Sequence, residues 1–171
     1  MKISEFNALS RAEKRIAIAK DALAQMKSKK IIATNGHYLL INSNFGNEDS
    51  LQKQIKSKNF NCQCCAKGAL FVSCVKQVNE VSISDDWSNE LFQKSKLKDY
   101  FSVLQLDMIE AAFEEQVIAD TTKKLESVQN GRLVTTPLGK RCVVFTEDHD
   151  AEEGMKKILN NIIRNKGYFR P

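Results

Sequence analysis

The segment from residue 66 to residue 78 constrains the fold most, because it is apolar on nearly every face of a helix. Its apolar residues are Ala66, Leu70, Phe71, Val72, Cys74, Val75 and Val78. A helix that is apolar all round must be buried, so this segment predicts a central helix that the rest of the chain surrounds. Gly68, near its start, costs about 1 kcal/mol relative to Ala, which predicts a close packing contact there.

Two capping boxes mark the starts of amphipathic helices. Ser10 with Glu13 predicts a helix over residues 10–28, and Ser102 with Gln105 predicts one over residues 103–126. In such a box, the two side chains satisfy backbone N–H groups that the first turn leaves exposed. The apolar stripes are Ile16, Ala19, Leu23 and Met26 in the first helix, and Leu106, Ile109, Phe113 and Val117 in the second.

Three more helices follow from caps and spacing. A short polar helix is predicted over residues 50–56, and residues 84–86 offer caps for a helix that carries Trp87, Leu91 and Phe92. Asp150 and Glu153 begin the last helix, which Gly167 closes. Its predicted core residues are Met155, Ile158, Leu159 and Ile162.

Two strands are predicted around the pair Asn35 and Gly36. Residues 31–34 and 37–42 are rich in β-favouring residues, and an Asn-Gly pair between such runs indicates an antiparallel hairpin. Residues 131–140 read as a loop because of Pro137 and Gly139, and residues 141–146 read as a buried strand.

The chain of 171 residues has the length of one domain, so we expect a single globular domain over residues 1–171. The fold class predicted is mainly α, of the α+β type, with a helical domain around the central helix and a small antiparallel sheet. The most secure core positions are Ile16, Leu23, Leu70, Phe71, Val75, Leu106, Ile109, Phe113, Ile158 and Ile162.

The net charge and the hydropathy of the chain indicate which classes of partner it can bind. The chain has 26 Lys and Arg against 21 Asp and Glu, a net charge of +5, and no apolar run near the roughly 20 residues of a membrane span. We expect a cytoplasmic protein without membrane contact. The basic clusters are Lys27, Lys29 and Lys30; Lys94, Lys96 and Lys98; and Arg164, Lys166 and Arg170. Two of them stand where a helix ends, which the helix dipole explains, so nucleic acid is a less favoured partner than protein.

Cys62, Cys64 and Cys65 form the one block that structural needs alone do not explain. Cys62 and Cys65 make a C-x-x-C at the predicted start of the central helix. The positive end of the helix and nearby Lys67 would lower the pKa of a thiol there. The thiols could also serve only to pack the helix start.

Three chemistries use such a block. A zinc site would take Cys62, Cys64 and Cys65, with His37 or His149 as the fourth ligand. A cysteine nucleophile, Cys65 or Cys64, would use His149 as its base, oriented by Asp148 or Asp150. A redox dithiol is the third, but it usually accompanies a thioredoxin-like alternation of strands and helices that the sequence lacks.

Other titratable residues have structural explanations. His37 is expected to be exposed beside the turn. The acidic residues before the last helix suit its positive end, and they lack the spacing of a calcium loop: Glu147, Asp148, Asp150, Glu152 and Glu153.

Three motifs carry a resemblance: Cys62-x-x-Cys65-Ala-x-Gly68-Ala-Leu-Phe71, Tyr100-Phe-Ser-x-x-Gln105-Leu-x-x-Ile109-Glu-Ala-Ala-Phe113 and Ile158-x-x-Asn161-Ile-Ile-x-Asn165-x-Gly167-x-Phe169-x-Pro171. Together they resemble a family of small uncharacterised proteins encoded by bacteriophages and prophages, and the similarity spans about residues 10–171. Cys64 is not part of this pattern. The resemblance implies an accessory protein in the cytoplasm of an infected bacterium, and such proteins often bind host factors, defence systems included.

These observations favour a non-enzymatic protein that binds a host or phage macromolecule, for example as a modulator of a host defence system. The alternative is a cysteine-dependent hydrolase that uses Cys65 and His149. A zinc-stabilised binding module is the second alternative, and the leading hypothesis needs no cofactor.

Overall fold

The computed structural model describes residues 2–41, 51–77, 97–114, 132–135, 141–144 and 150–170. The elements are α1 (Ile3–Ala8), α2 (Arg11–Lys27), β1 (Ile31–Ala33), β2 (Leu39–Ile41), α3 (Leu51–Lys56), β3 (Cys62–Cys64), α4 (Ala66–Gln77), α5 (Leu97–Tyr100), α6 (Val103–Phe113), β4 (Arg132–Thr135), β5 (Arg141–Val144) and α7 (Ala151–Arg164). The mainly α, α+β class is confirmed. None of the helices among these residues combines the length and apolar character needed to cross a membrane.

The central helix is α4. Every residue from Ala66 to Val75 is buried, and α2, α3 and α6 pack around it. A Cβ atom at Gly68 would lie 1.8 Å from the Tyr38 backbone oxygen and 2.9 Å from Cys64 Cβ. The close contact predicted at Gly68 is therefore confirmed.

Helix α2 begins at the predicted capping box but buries a different stripe. Ser10 Oγ accepts a hydrogen bond from the Glu13 backbone N–H (3.3 Å), and Glu13 Oε2 accepts one from the Ser10 N–H (2.8 Å). The buried side chains are those of Arg15, Ile18, Ala19, Ala22 and Met26.

The predicted core position Ile16 is wrong, since it is only half-buried, and Leu23 is half-buried but packs against the core. At 100° per residue they stand roughly 90° around the helix from the centre of the buried face. Ile16 instead lines an open surface cavity of about 460 Å³ beside Leu9 and Gln77. The small side chains of Ala19 and Ala22 face the core in their place, which brings α2 close to its neighbours.

Strand β3 lies between β1 and β2, so the predicted antiparallel hairpin is wrong. It pairs parallel with β1 and antiparallel with β2, which makes a mixed sheet with the order β1-β3-β2. The turn at Asn35 and Gly36 is present, with Gly36 at φ +77°. However, the Thr34 N–H donates to the Cys64 oxygen (3.0 Å) and the Cys65 N–H donates to the His37 oxygen (2.8 Å). The backbone groups that would close a hairpin thus bond to the segment that contains β3.

Helix α6 begins at Ser102, whose Oγ accepts a bond from the Gln105 N–H (3.2 Å). The second half of the predicted capping box is wrong, because the Gln105 side chain bonds to Phe169 instead. The predicted core residues Leu106, Ile109 and Phe113 are all buried. The predicted continuation to residue 126, with Val117, lies outside the described residues, as does the helix that would carry Trp87, Leu91 and Phe92.

Helix α7 begins at Asp150, whose Oδ1 accepts a bond from the Glu153 N–H (3.0 Å). All four predicted core residues are buried: Met155, Ile158, Leu159 and Ile162. The helix ends in a Schellman motif, in which the Gly167 N–H donates to the Ile162 oxygen (2.8 Å) and the Lys166 N–H to the Ile163 oxygen (3.3 Å). Gly167 follows the helix end as predicted, with φ +86°, but Lys166, with φ +54°, takes the left-handed position at which glycine usually closes a helix.

Helix α3 and strand β5 are confirmed within residues 50–56 and 141–146. The loop predicted over residues 131–140 is partly wrong, because it contains β4, which pairs antiparallel with β5. The breakers Pro137 and Gly139 come between the two strands in the sequence, so they separate strands rather than mark one long loop. The other predicted core residues, Leu70, Phe71 and Val75, are buried.

Candidate functional site

The cysteine block lies under the three-stranded sheet and at the start of α4. Cys62 and Cys64 occupy alternate positions of β3 and face the core, whereas Gln63 between them is half-buried. Cys65 follows the strand and precedes the first residue of α4. The exposed fractions are 0% for Cys62 and Cys64 and 2% for Cys65, so none of the three side chains is open to solvent.

Cys65 occupies the N-cap position of the central helix. Its backbone oxygen accepts the first helical bond, from the Ala69 N–H (2.9 Å). Its Sγ lies 4.0 Å from the Tyr38 oxygen, and the backbone N–H groups of Lys67 and Gly68 are near enough to lower the pKa of the thiol. A serine or threonine usually stands at an N-cap, so Cys65 holds a structural position at the start of α4.

The pKa values of the Cys64 and Cys65 thiols are raised. Burial raises the pKa of Cys65 to about 11, outweighing the backbone N–H groups of Lys67 and Gly68, which lower this pKa. The pKa of Cys64 is raised well above its usual value, first by the hydrogen bond with the Cys62 thiol and then by burial. The lowered thiol pKa predicted at the helix start is wrong for Cys65, because removal from water disfavours a thiolate more than the helix end stabilises it.

Lys67, expected to favour the thiolate, pairs with a carboxylate. Its ammonium donates to Glu110 Oε2 of α6, and only 8% of its side chain is exposed. One turn further along α6, Glu114 Oε2 accepts from the Gly36 N–H (3.0 Å). Both carboxylates lie close enough to Cys65 to raise the pKa of its thiol further. They connect α6 to α4 and to the turn beside the sheet.

A metal site is not assembled in the part of the chain that the structure describes. No group of three or more His, Cys, Asp or Glu side chains there could hold an ion. His37 is exposed as predicted, outside any strand, and its backbone oxygen is bonded to Cys65. His149 and Asp148 lie outside the described residues, so their approach to Cys65 stays a prediction. Asp150, the other proposed orienting residue, caps α7.

The basic clusters at the helix ends do not come together. Lys29 Nζ, just beyond α2, lies 3.6 Å from Glu152 at the start of α7. Gly167, just beyond α7, packs against Ala12 at the start of α2. The two helices are therefore antiparallel, and Lys27, Lys29 and Lys30 stand at the opposite end of the pair from Arg164 and Lys166. Lys94 and Lys96 lie outside the described residues.

Arg15 is an organising residue that the sequence analysis missed. It is only 7% exposed, and its Nε and Nη1 donate to the backbone oxygens of Tyr100 (2.7 Å) and Gly167 (3.3 Å). Its guanidinium carbon lies 4.4 Å from the centre of the Tyr168 ring. The sequence signal that could have identified Arg15 as buried is its position on the same face of α2 as Ile18, Ala19 and Ala22.

Large apolar side chains are exposed in two places. Ile32 (44%) and Leu40 (45%) are the register partners of Gln63 and form one row on the outer face of the sheet. We call the second place the α6 surface: Val103 (54%), Leu104 (68%) and Tyr168 (45%). Val103 and Leu104 are adjacent in the first turn of α6, and Tyr168 precedes Phe169, which is hydrogen-bonded to Gln105.

Comparison with protein-family models, with curated proteins and with solved structures finds no match to this chain.

Proposed function

We propose that this chain is a non-enzymatic binding protein that acts by contacting a host or phage macromolecule. The observation that carries the proposal is the distribution of side chains. The thiols of the cysteine block are buried, whereas large apolar side chains are exposed on the α6 surface. A phage-encoded accessory role in the host cytoplasm, as a modulator of a defence system, is part of the proposal and rests on the resemblance of the three motifs.

The α6 surface is the favoured contact region. Leu104 has the largest exposed fraction of the large apolar residues among those described, at 68%. Arg11, which is exposed, donates to the Tyr100 oxygen, two residues before the cap of α6, so a cationic side chain borders the apolar ones. Aromatic residues and arginine are enriched in protein interfaces, and apolar side chains fill their centres. The partner expected here is a protein with an apolar patch and acidic residues beside it.

The test compares Leu104→Asp with Ile32→Asp, a matched control on the other exposed row. Tagged wild-type and variant proteins are used to capture partners from infected and uninfected bacterial lysates, and any captured protein is then purified and titrated directly. We expect Leu104→Asp to weaken binding at least tenfold and Ile32→Asp to preserve it. Equal binding by both folded variants, or the absence of a partner for wild-type protein, would contradict the proposal.

A cysteine-dependent hydrolase with Cys65, His149 and Asp148 is the alternative. The observation in its favour is that two helix N–H groups point at the Cys65 thiol, which is the setting of many reactive cysteines. Cys65→Ser keeps an oxygen in the capping position but removes the nucleophile. An unchanged biological effect in this variant would eliminate the hydrolase.

A further inference from the structure

Residues 168–170 run as an extended segment that two side-chain amides hold. Gln105 Nε2 donates to the Phe169 oxygen (3.0 Å), and the Phe169 N–H donates to Gln105 Oε1 (2.7 Å). Asn161 Nδ2 donates to the Arg170 oxygen (2.7 Å), and the Arg170 N–H donates to Asn161 Oδ1 (2.9 Å). Each amide thus pairs with both backbone groups of one residue, as a neighbouring β-strand would. We call Gln105 and Asn161 the amide clamp.

One side chain of the segment is anchored and its neighbours are exposed. Phe169 is buried to 1% exposure, whereas Tyr168 and Arg170 are exposed. This arrangement resembles the recognition of extended peptides by β-strand addition. There, backbone hydrogen bonds supply affinity and pockets for alternate side chains supply specificity.

The amide clamp is positioned by helices rather than by the segment it holds. Asn161 is fully buried on α7, and Asn165 Nδ2 donates to its Oδ1 (3.0 Å) and to its backbone oxygen (2.9 Å). Gln105 stands in the first turn of α6, where Ser102 caps its backbone N–H. The walls of the groove therefore belong to α6 and α7, which have their own caps and their own buried faces.

We propose that the groove between α6 and α7 is a peptide-binding site for extended segments in which an aromatic residue precedes a basic one. Residues 168–170 occupy the groove within the same chain, and a partner segment of that chemistry enters by displacing them. The segment in place supplies the evidence for the occupant, because its Phe169 is buried in the core and its Arg170 is exposed. The groove adjoins the α6 surface, so this inference rests on the proposed function and names the class of partner.

The test measures the anisotropy of a fluorescent peptide with the sequence of residues 166–171. The proteins compared are full-length wild type, Phe169→Ala and the double variant Phe169→Ala, Gln105→Ala. We expect the peptide to bind Phe169→Ala at least tenfold more tightly than wild type, because the intramolecular competitor is weakened. The double variant should bind at least tenfold more weakly than Phe169→Ala, as should a peptide with alanine in place of the phenylalanine. Equal affinities across these pairs would overturn the proposal.

Hydrogen exchange on the wild-type protein provides a test that needs no variant. The Phe169 amide should exchange at least a hundredfold faster than the Leu70 amide of α4, since displacement of the segment requires only local opening. Equal protection of the two amides would show that the segment is a fixed part of the fold and would end the proposal. Failure of both peptide tests, with partner capture still dependent on Leu104, would overturn the groove assignment and leave the binding function standing.

Discussion

Two backbone N–H groups at the start of α4 lower the pKa of the Cys65 thiol, yet burial raises it to about 11. The end of a helix changes the free energy of a nearby charge by about 0.3–2 kcal/mol. Full burial, which removes a group from water, can shift the pKa of that group by as much as about 3–5 units. Sequence shows that a cysteine stands at a helix start. It does not show how much protein covers the thiol, and that coverage decides the chemistry.

This raised pKa predicts a loss of stability in alkali. The folded state keeps the Cys65 proton up to about pH 11, whereas the unfolded chain releases it near pH 8.5. The stability that this thiol contributes is complete below pH 8.5 and is lost between that pH and about 11. Cys65→Ser removes the titrating proton. We expect the slope of unfolding free energy against pH to be shallower in this variant, by up to about 1.4 kcal/mol per pH unit. Urea unfolding between pH 7 and 11 checks this, and parallel slopes would contradict it.

Substitutions at Gly68 and Gly36 measure two different costs, that of a close packing contact and that of a left-handed backbone. A Cβ atom added at Gly68 would lie 1.8 Å from the Tyr38 oxygen. A Cβ atom added at Gly36, where φ is +77°, would meet no other part of the molecule within 4 Å. We expect Gly68→Ala to lower the unfolding free energy by about 3 kcal/mol or more, since the backbone must move. Gly36→Ala should cost about 1–2 kcal/mol, from the left-handed conformation alone. Chemical denaturation ranks the two variants, and a reversed order would count against the packing of α4 on Tyr38.

At the scale of single elements, α2 and α7 end in the same way, with a lysine in the left-handed conformation. Lys29 has φ 57° and Lys166 has φ 54°. In both Schellman motifs the following N–H reaches back to the last turn: Lys30 to the Gln25 oxygen (2.9 Å) and Gly167 to the Ile162 oxygen (2.8 Å). Glycine is the residue usually found at this position, because a Cβ atom is disfavoured there.

Both lysines are therefore sites where glycine should stabilise the protein. Lys29→Gly and Lys166→Gly should each raise the unfolding free energy by about 0.5–1 kcal/mol, the relief of the left-handed strain less the entropy that glycine adds to the unfolded chain. The exposed ion pair of Lys29 with Glu152 contributes little to set against this gain. Lys20→Gly is the control. Lys20 is an exposed residue inside α2, and glycine there should lower the free energy by about 1 kcal/mol. A loss of stability in all three variants would refute the interpretation.

Elements set by local interactions could be predicted from the sequence, and pairings between distant segments could not. Ser10, Ser102 and Asp150 all cap the helices that their spacing predicts. Asn35 and Gly36 also form their turn. However, β3, which lies about 25 residues further along the chain, pairs with the backbone groups of β1 and β2. The sequence of residues 31–42 does not indicate that a third strand lies between them. The same limit explains Gln105, whose partner Phe169 lies 64 residues away.

For the molecule as a whole, several residues of the three sequence motifs have structural roles. Gly68 allows the contact between α4 and Tyr38, Gln105 and Asn161 hold the extended segment, and Gly167 lies against α2. A sequence pattern made of such residues therefore indicates a shared fold. The cysteine block belongs to the same group, because Cys65 caps α4 and Cys62 fills the core beneath the sheet.

Arg15 connects three parts of the molecule, and its removal tests how far the domain depends on that connection. From α2 it donates to Tyr100 at the end of α5 and to Gly167 beyond α7. These oxygens lie at helix ends, where the dipole is negative, which explains how a cation only 7% exposed is tolerated. Arg15→Met keeps the apolar stem but leaves the buried Gly167 oxygen without this donor. We expect a loss of about 2–4 kcal/mol in unfolding free energy.

Arg11 supplies the matched control, because its Nε donates to the same Tyr100 oxygen (2.9 Å) from an exposed position. Arg11→Met should cost less than about 1 kcal/mol, since water replaces an exposed donor. Urea unfolding, followed both by circular dichroism and by the fluorescence of Trp87, measures the two losses and shows whether the transitions remain coincident. If Arg15→Met were no more harmful than Arg11→Met, the buried guanidinium would not be joining the three elements. α2, α5 and the turn after α7 would then be held by their apolar faces alone.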